Sequence, residues 1–510
     1  IYCINKLAMS SIVKFYKTHI IIILVISLPI FFTLGPALIE LVSLIFFVIF
    51  LVLYLKKNNE MMKLINENKL IIKFFSLFWL SLIISSFISE DYYLSFKNTG
   101  FYFRFLTFSL FILYCLDKYK QLKYLLFYTY AFLFILIFIT SIYEYASGYN
   151  FFNNIPYSNG RISSIFLDEK ILGSFVSKTL PIVIALIYVN KFKYKFFISF
   201  FLISMSLILV VLSGERTALL LFLIFIILTL KILDLRKIIG LIFIFLLSVI
   251  LVNPKILTNA STNRIIGNTL AQLGLPLIGN NERIRFFSPV HEHHYISGFK
   301  MFVDNPILGI GPNNFREQCK KGKYEVDKIP FMGGEKIYAR TEGYILSHVG
   351  KYIYFSANDL QFERSLDEIF LTEKYDKLLK DQFDKEKKKE KTKGVKFNEG
   401  DHIFTYKKEF NISGCNTHPH NYLIQFLAET GVVGFIFYIS LIIFCLYKII
   451  SILFSTNSQK YPEYLALIAI LLSLFPLLPS GNFFNNMISF TIFWNLPFYL
   501  FFIKNLKNEH

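Results

Sequence analysis

The chain has 510 residues, of which 55% are hydrophobic, 18% aromatic and only 17% charged. That is far below the charged share of an ordinary soluble domain, so the balance excludes a soluble globular enzyme and points to a polytopic membrane protein. The formal net charge of +18 would normally suggest nucleic acid or anionic lipid as partner. Here Lys, Ile, Asn, Phe and Tyr are abundant together, the bias of AT-rich coding, so the positions of the charges carry more than their sum and no nucleic-acid partner is expected.

A membrane span needs roughly 20 mostly apolar residues. Twelve such segments follow in chain order, at about 19–34, 36–55, 70–89, 98–116, 122–146, 171–189, 194–212, 216–233, 237–252, 421–447, 461–479 and 484–503. The first apolar run, from about Ile20, reads as a span and not as a cleaved signal peptide. The chain opens on Ile1, with Met9 as an alternative start.

With the amino terminus inside, every inner loop is basic, among them "LKKNNEMMK", "DKYKQLKY" and "NKFKYK". The outer short loops, such as "SEDYY", "SGERT" and "PSGNFFNN", are poorer in Lys and Arg. The expected organisation is nine spans over 1–252, one large outer loop over 253–420, and three spans over 421–510. The fold class is all-α, with both termini inside. The loop has helical texture at "HHYISGFKMFVDN", a turn signal at "NPILGIGPNNF", and a solvated charge run, "DKEKKKEKTKGVK". A small folded cap is expected there. Cys319 and Cys415 both fall in this loop, and an oxidising compartment would join them.

Ionisable residues at the outer lip of a membrane protein carry the functional signal. Arg161 stands ahead of Asp168, Glu169 and Lys170, just before a span. Glu215 and Arg216 form a tight turn between two spans. A guanidinium at the start of a helix suits an anionic head group, phosphate above all. Arg283 and Arg285 add cations further on. His291, His293 and His294 lack the HExxH spacing or a companion Cys or Asp pattern, so no metal is expected. His418 and His420 precede the tenth span. A neutral imidazole there can accept a proton from a hydroxyl near neutral pH. Glu429, about two and a half helical turns past His420, is read as a brace.

Several of these stretches resemble the O-antigen ligase and polymerase superfamily. "HPHNYLIQFLAETGVVGFIFY" is similar to its His–Asn signature opening a late span. "KMFVDNPILGIGPNNF" is similar to its preceding loop motif, "LSGERTALLL" to its Ser–Gly–x–Arg turn, and "GRISSIFLDEKILGSFVSKTLP" to the stretch after its fifth span. The resemblance covers most of the chain. It implies a GT-C-type, metal-independent inverting glycosyltransferase of the bacterial inner membrane, with no cofactor and with a periplasmic active face. The donor would be a glycan on undecaprenyl pyrophosphate. The acceptor would be lipid A–core, making the enzyme an O-antigen ligase. Another glycan (polymerase) or a protein (O-oligosaccharyltransferase) are the alternatives, and a non-enzymatic lipid-linked glycan transporter is a more distant one. By motif, Arg216 with Arg161, Arg283 and Arg285 would hold the pyrophosphate. His420, ahead of His418, would act on the acceptor, and Asn421, Tyr422, Glu429 and Glu215 would support them. The long, Lys-rich loop departs from the family pattern.

Overall fold

The computed structural model describes residues 19–155, 161–167, 169–230, 240, 287, 289–319, 321–324, 330–339, 345–347, 402–411, 415, 417–455 and 458–508. The chain divides into two compact units, one of residues 1–325 with 414–510 and the other of residues 326–413.

The described residues of the first unit are helical wherever they are regular. Its helices are α1 (His19–Leu34), α2 (Pro36–Leu55), α3 (Asn59–Glu67), α4 (Lys69–Ile88), α5 (Tyr92–Thr99), α6 (Arg104–Lys118), α7 (Leu122–Ser147), α8 (Leu172–Val189), α9 (Lys195–Leu212), α10 (Arg216–Thr229), α11 (Pro289–Asp304), α12 (Phe315–Cys319), α13 (Tyr422–Leu453), α14 (Tyr461–Ser473) and α15 (Asn486–Asn508). Local sequence sets their ends. Pro36 opens α2 at the position where its missing N–H is no loss. The Asp91 side chain accepts the Leu94 N–H at 2.9 Å to cap α5. Gly148, in the left-handed region, ends α7.

Among the described residues, eight helical segments are long and apolar enough to cross a membrane, and α1, α10 and α14 are shorter apolar helices. The expected span over 237–252 lies outside the described residues apart from Gly240. Burial separates the interior of the bundle from its rim. In α14, Tyr464 through Ala469 have no exposed surface at all, as expected of a helix apolar all round and surrounded by others. In α2, by contrast, Leu41, Leu44, Val48 and Leu55 are each more than half exposed. An apolar stripe of that kind belongs against lipid, and the chain is a polytopic, membrane-embedded type of protein on that ground. At one end of the bundle Lys504 pairs with Asp117 at 2.7 Å and with Glu67 at 3.0 Å, and Lys118 pairs with Glu60 at 2.9 Å. These residues come from the basic inner segments.

The second unit holds three strands, β1 (Pro330–Ala339), β2 (Ile345–Ser347) and β3 (His402–Asn411), in antiparallel order β2-β1-β3. Pairing of β1 with β3 runs unbroken from Pro330 opposite Asn411 to Ala339 opposite His402. This sheet stands apart from the all-α expectation. The "DKEKKKEKTKGVK" run lies outside the described residues.

The stretch expected as one loop over 253–420 is divided between the two units. Residues 289–324 and those from 415 onward belong to the helical unit, and only 326–413 form a unit of their own. The physical reason is packing: Gly298 of α11 lies so close to Ile424 of α13 that a Cβ there would meet its Cγ2 at 2.5 Å. Cys319 and Cys415 are joined in a disulfide, with Cα atoms 5.1 Å apart. Both cysteines belong to the helical unit, one on each side of residues 326–413 in sequence.

Candidate functional site

The site begins with a turn. His420 adopts a left-handed backbone (φ 56°), uncommon for a non-glycine residue. The turn is held from the other side: Ser480 N–H donates to the His420 carbonyl at 2.8 Å. The next residue, Asn421, caps α13 by accepting the Ile424 N–H at 3.1 Å, and its amide donates to the Pro476 carbonyl at 2.9 Å. Asn421 is thus a bracket between the start of α13 and the loop ahead of α15. Tyr422 is buried with its ring edge-on to Phe483, and its hydroxyl has no hydrogen-bond partner among the described residues.

The turn gathers histidines. His418 and His420 have ring centroids 3.9 Å apart. His294 of α11 stacks on His420 at 5.1 Å, and His291, one turn earlier, stands 5.7 Å from it. His291 and His294 share a face by their i, i+3 spacing. Four imidazoles from two segments more than a hundred residues apart therefore form one cluster. Among the described residues no group of three or more His, Cys, Asp or Glu side chains is arranged to hold a metal ion.

The partners of His418 assign its tautomer. Its Nε2 faces the Ser480 carbonyl at 3.4 Å, an acceptor only, so Nε2 carries the proton. Its Nδ1, 2.9 Å from Thr417 Oγ1, then accepts from that hydroxyl. Both ring nitrogens of His418 are thereby engaged, and the His420 ring also meets the Ser480 backbone. Ser480 Oγ is buried beside them without a hydrogen-bond partner among the described residues.

The cluster is electrostatically poised. Burial, then the neighbouring histidines, push His420 down to about 3. Burial, partly offset by the Ser480 carbonyl, holds His418 at about 4. Burial, His294 and the positive charge of Arg216 hold His291 at about 4. All three are neutral near pH 7. The Arg216 effect places the guanidinium at the start of α10 within electrostatic reach of His291.

Glu215 and Arg216 do not form a surface pair. The Glu215 carboxylate is buried and turned to α8, where it accepts the Gly173 N–H at 2.8 Å and the Ser174 hydroxyl at 2.6 Å. It caps the neighbouring helix. Burial pushes its carboxyl up, against the Ser174 hydrogen bond and the positive charge of Arg161. Arg161 donates to the Lys170 carbonyl. Arg161, Glu215 and Arg216 therefore sit at one end of α8 and α10, while Arg283, Arg285 and Asp168 lie outside the described residues.

Glu429 is part of a polar splice and makes no ion pair among the described residues. Its Oε2 accepts from Gln425 at 3.0 Å and its Oε1 from the Phe315 N–H at 3.3 Å. Gln425 continues to Asn482 at 2.6 Å. The residue is a brace between α13, the turn after α11 and the loop before α15.

Two features escaped sequence reasoning. Lys178 stands within the apolar α8, one turn beyond Ser174 on the same face, and feels the charge of Glu215. A lysine inside an otherwise apolar span was a legible signal. The inclusion of His291 and His294 was not, because it depends on α11 packing against the start of α13. No protein-family model matches the chain, and no curated protein matches it in sequence.

Proposed function

We propose that this chain is a metal-independent inverting glycosyltransferase of the membrane, moving a glycan from an undecaprenyl-pyrophosphate carrier to an acceptor hydroxyl, as an O-antigen ligase does. The observation that supports it best is the meeting of four imidazoles, three of them held neutral near pH 7, with the Arg216 guanidinium within electrostatic reach of His291. Neutral nitrogen bases beside fixed cations suit a reaction in which a proton leaves a hydroxyl while a phosphate departs.

In this mechanism Arg216, Arg161 and Lys178 hold the donor pyrophosphate. The acceptor oxygen attacks the anomeric carbon from the opposite side, the bond from that carbon to the phosphate oxygen breaks, and the electron pair leaves with the pyrophosphate. His420 takes the hydroxyl proton. His418 is a positioning residue, since both its nitrogens are engaged. An imidazole held near 3 is a weak base. Bound pyrophosphate brings negative charge to the cluster, which favours the protonated imidazole and raises His420 towards its working range. The donor thus switches on the base. The periplasmic side, a twelve-span topology and a GT-C-type fold belong to the same proposal, supported by the basic inner loops.

One observation bears on the transporter reading, which calls for interrupted helices around a midplane ligand. Helix α13 is interrupted at Gly431 (φ 61°, ψ −162°). The groups freed there are bonded to the protein itself, so the interruption serves structure and the transferase reading is kept.

The test is complementation of a ligase-deficient bacterial strain. Arg216→Ala and His420→Ala are each expected to lower surface polysaccharide transfer by roughly 10²–10⁴-fold at unchanged protein level. Parental polysaccharide from both variants would overturn the reading. The banding profile separates acceptors: loss of all capped lipid A–core means ligase, a single-repeat cap means polymerase.

A further inference from the structure

Two residues beyond Ser480, the same loop builds something else. A cavity of about 210 Å3 is lined by Glu40, Asn98, Asn313, Asn482, Asn486 and Phe484, among others. None of the clustered histidines, nor Arg161, Lys178 or Arg216, lines it.

The carboxamides in its wall are held by fixed partners. Asn98 donates to the Leu94 carbonyl at 2.8 Å. Asn482 donates to Asn313 Oδ1, while its own Oδ1 accepts from Gln425 and from the Phe484 N–H at 2.9 Å. Asn486 donates to Glu40 and accepts from Arg104 Nη2 at 2.7 Å. A carboxamide carries two N–H donors and two acceptor lone pairs, so these bonds orient the groups without exhausting them. The side-chain nitrogen Nδ2 of Asn313 and the side-chain oxygen Oδ1 of Asn98 make no hydrogen bond among the described residues, whereas the Asn313 backbone bonds Glu429. Arg104 Nε, behind Asn486, is buried without a partner among them.

The charges balance, because the Glu40 carboxylate and the Arg104 guanidinium act on each other. A wall that carries a carboxylate and no cation, and is rich in both donors and acceptors, does not suit a phosphate, which would call for unbalanced cations. It does not suit an acyl chain, which would call for an apolar wall. It suits a ligand presenting many hydroxyls around a ring.

We propose that this cavity is a saccharide subsite that takes one neutral, hydroxyl-rich sugar ring; assigning that ring to the glycan in transfer rests on the reading given under the proposed function. The subsite binds sugar and performs no chemistry.

The experiment is saturation-transfer NMR on the full chain in lipid nanodiscs, with methyl α-glucoside and N-acetylglucosamine as probes and glycerol as the hydroxyl-bearing control. Ring protons of at least one sugar are expected to be saturated well above the glycerol level. The signal is expected to fall to that level in Asn98→Leu, which fills the wall with an apolar group, and in Glu40→Gln, which keeps its size. Asn98→Asp, nearly isosteric, shows whether a loss follows from the cavity or from misfolding: it is expected to retain part of the signal. Inorganic pyrophosphate is expected not to compete. Sugar signals no greater than that of glycerol, a signal undiminished in Asn98→Leu and Glu40→Gln, or displacement by pyrophosphate would each overturn the subsite. Transfer is assayed separately on the same preparation. Sugar binding without transfer would remove the glycosyltransferase reading and leave the subsite, and transfer without sugar binding would do the reverse.

Discussion

The histidine cluster makes pH the most direct probe at the residue scale. His291, His418 and His420 are held at about 4, 4 and 3 in the folded chain, against an ordinary value near 6.5. Between those limits the unfolded chain binds more protons than the folded one, so folding stability rises with pH across the window and is lost as pH falls through it. The melting temperature is expected to drop from about pH 6.5 towards 4, with a shallower slope in His420→Asn. An equal slope in that variant would mean the cluster is not the source. Lys178 is the second residue-scale test. If it helps hold an anion, Lys178→Met weakens pyrophosphate protection against thermal unfolding, while Lys178→Arg retains most of it. Burial alone would leave the protection unchanged in both. Asn421 and Glu215 sit beside this chemistry and yet cap helices, so their loss is expected to act through stability.

Helix α13 teaches the most at the scale of the element. Its break at Gly431 removes the helical partners of the carbonyls of Ala428 and Glu429 and of the N–H groups of Val432 and Val433. The turn after α11 supplies all four. Ile310 N–H donates to the Ala428 carbonyl at 2.9 Å and Gly311 N–H to the Glu429 carbonyl at 3.0 Å, while Val432 and Val433 donate to the carbonyls of Pro306 and Ile307. The turn is spliced into the ladder of the helix, which meets the demand that buried backbone groups be paired. Gly309 and Gly431 make the approach possible. Each has positive φ, and a Cβ on either would meet backbone atoms at 2.4 Å. Gly431→Ala and Gly309→Ala are each expected to cost on the order of 1–3 kcal/mol or more, read as a lower melting temperature. A neutral result in both would contradict the splice. "NPILGIG" and "AETGVVG" were legible as turn and helix separately. That they interlock was not, because a hydrogen bond between segments more than a hundred residues apart leaves no local pattern.

The whole molecule is a helical unit interrupted by a smaller one. The Cys319–Cys415 disulfide spans 96 residues, and cross-linking a loop of that length is worth about 4–5 kcal/mol on chain-entropy grounds. Cys319→Ser is expected to shift mobility on a non-reducing gel and to lower the melting temperature. The parent should show no maleimide labelling at Cys115 and Cys445, which are buried. Because the disulfide joins parts of the helical unit on either side of residues 326–413 in sequence, replacing those residues by a short Gly–Ser linker is expected to leave the helical unit folded, measured by monodispersity and thermal melting in detergent. Collapse of that variant would show that the inserted unit is needed for the fold.

Hydropathy along the chain by itself determined the class of molecule and most of its helices, because a span of about twenty apolar residues is a local quantity. The lip arginines and the two histidines of the His–Pro–His strip were also visible locally, as charges where charge is costly. Only the tertiary structure decided what those residues face. It brought α11 into the helical unit and so added His291 and His294 to His420, turned Glu215 away from Arg216 and onto the start of α8, and lined a cavity with carboxamides from separate segments. The reason is physical: each of these depends on which backbones come within hydrogen-bonding or van der Waals distance, and that is set by packing across long stretches of chain.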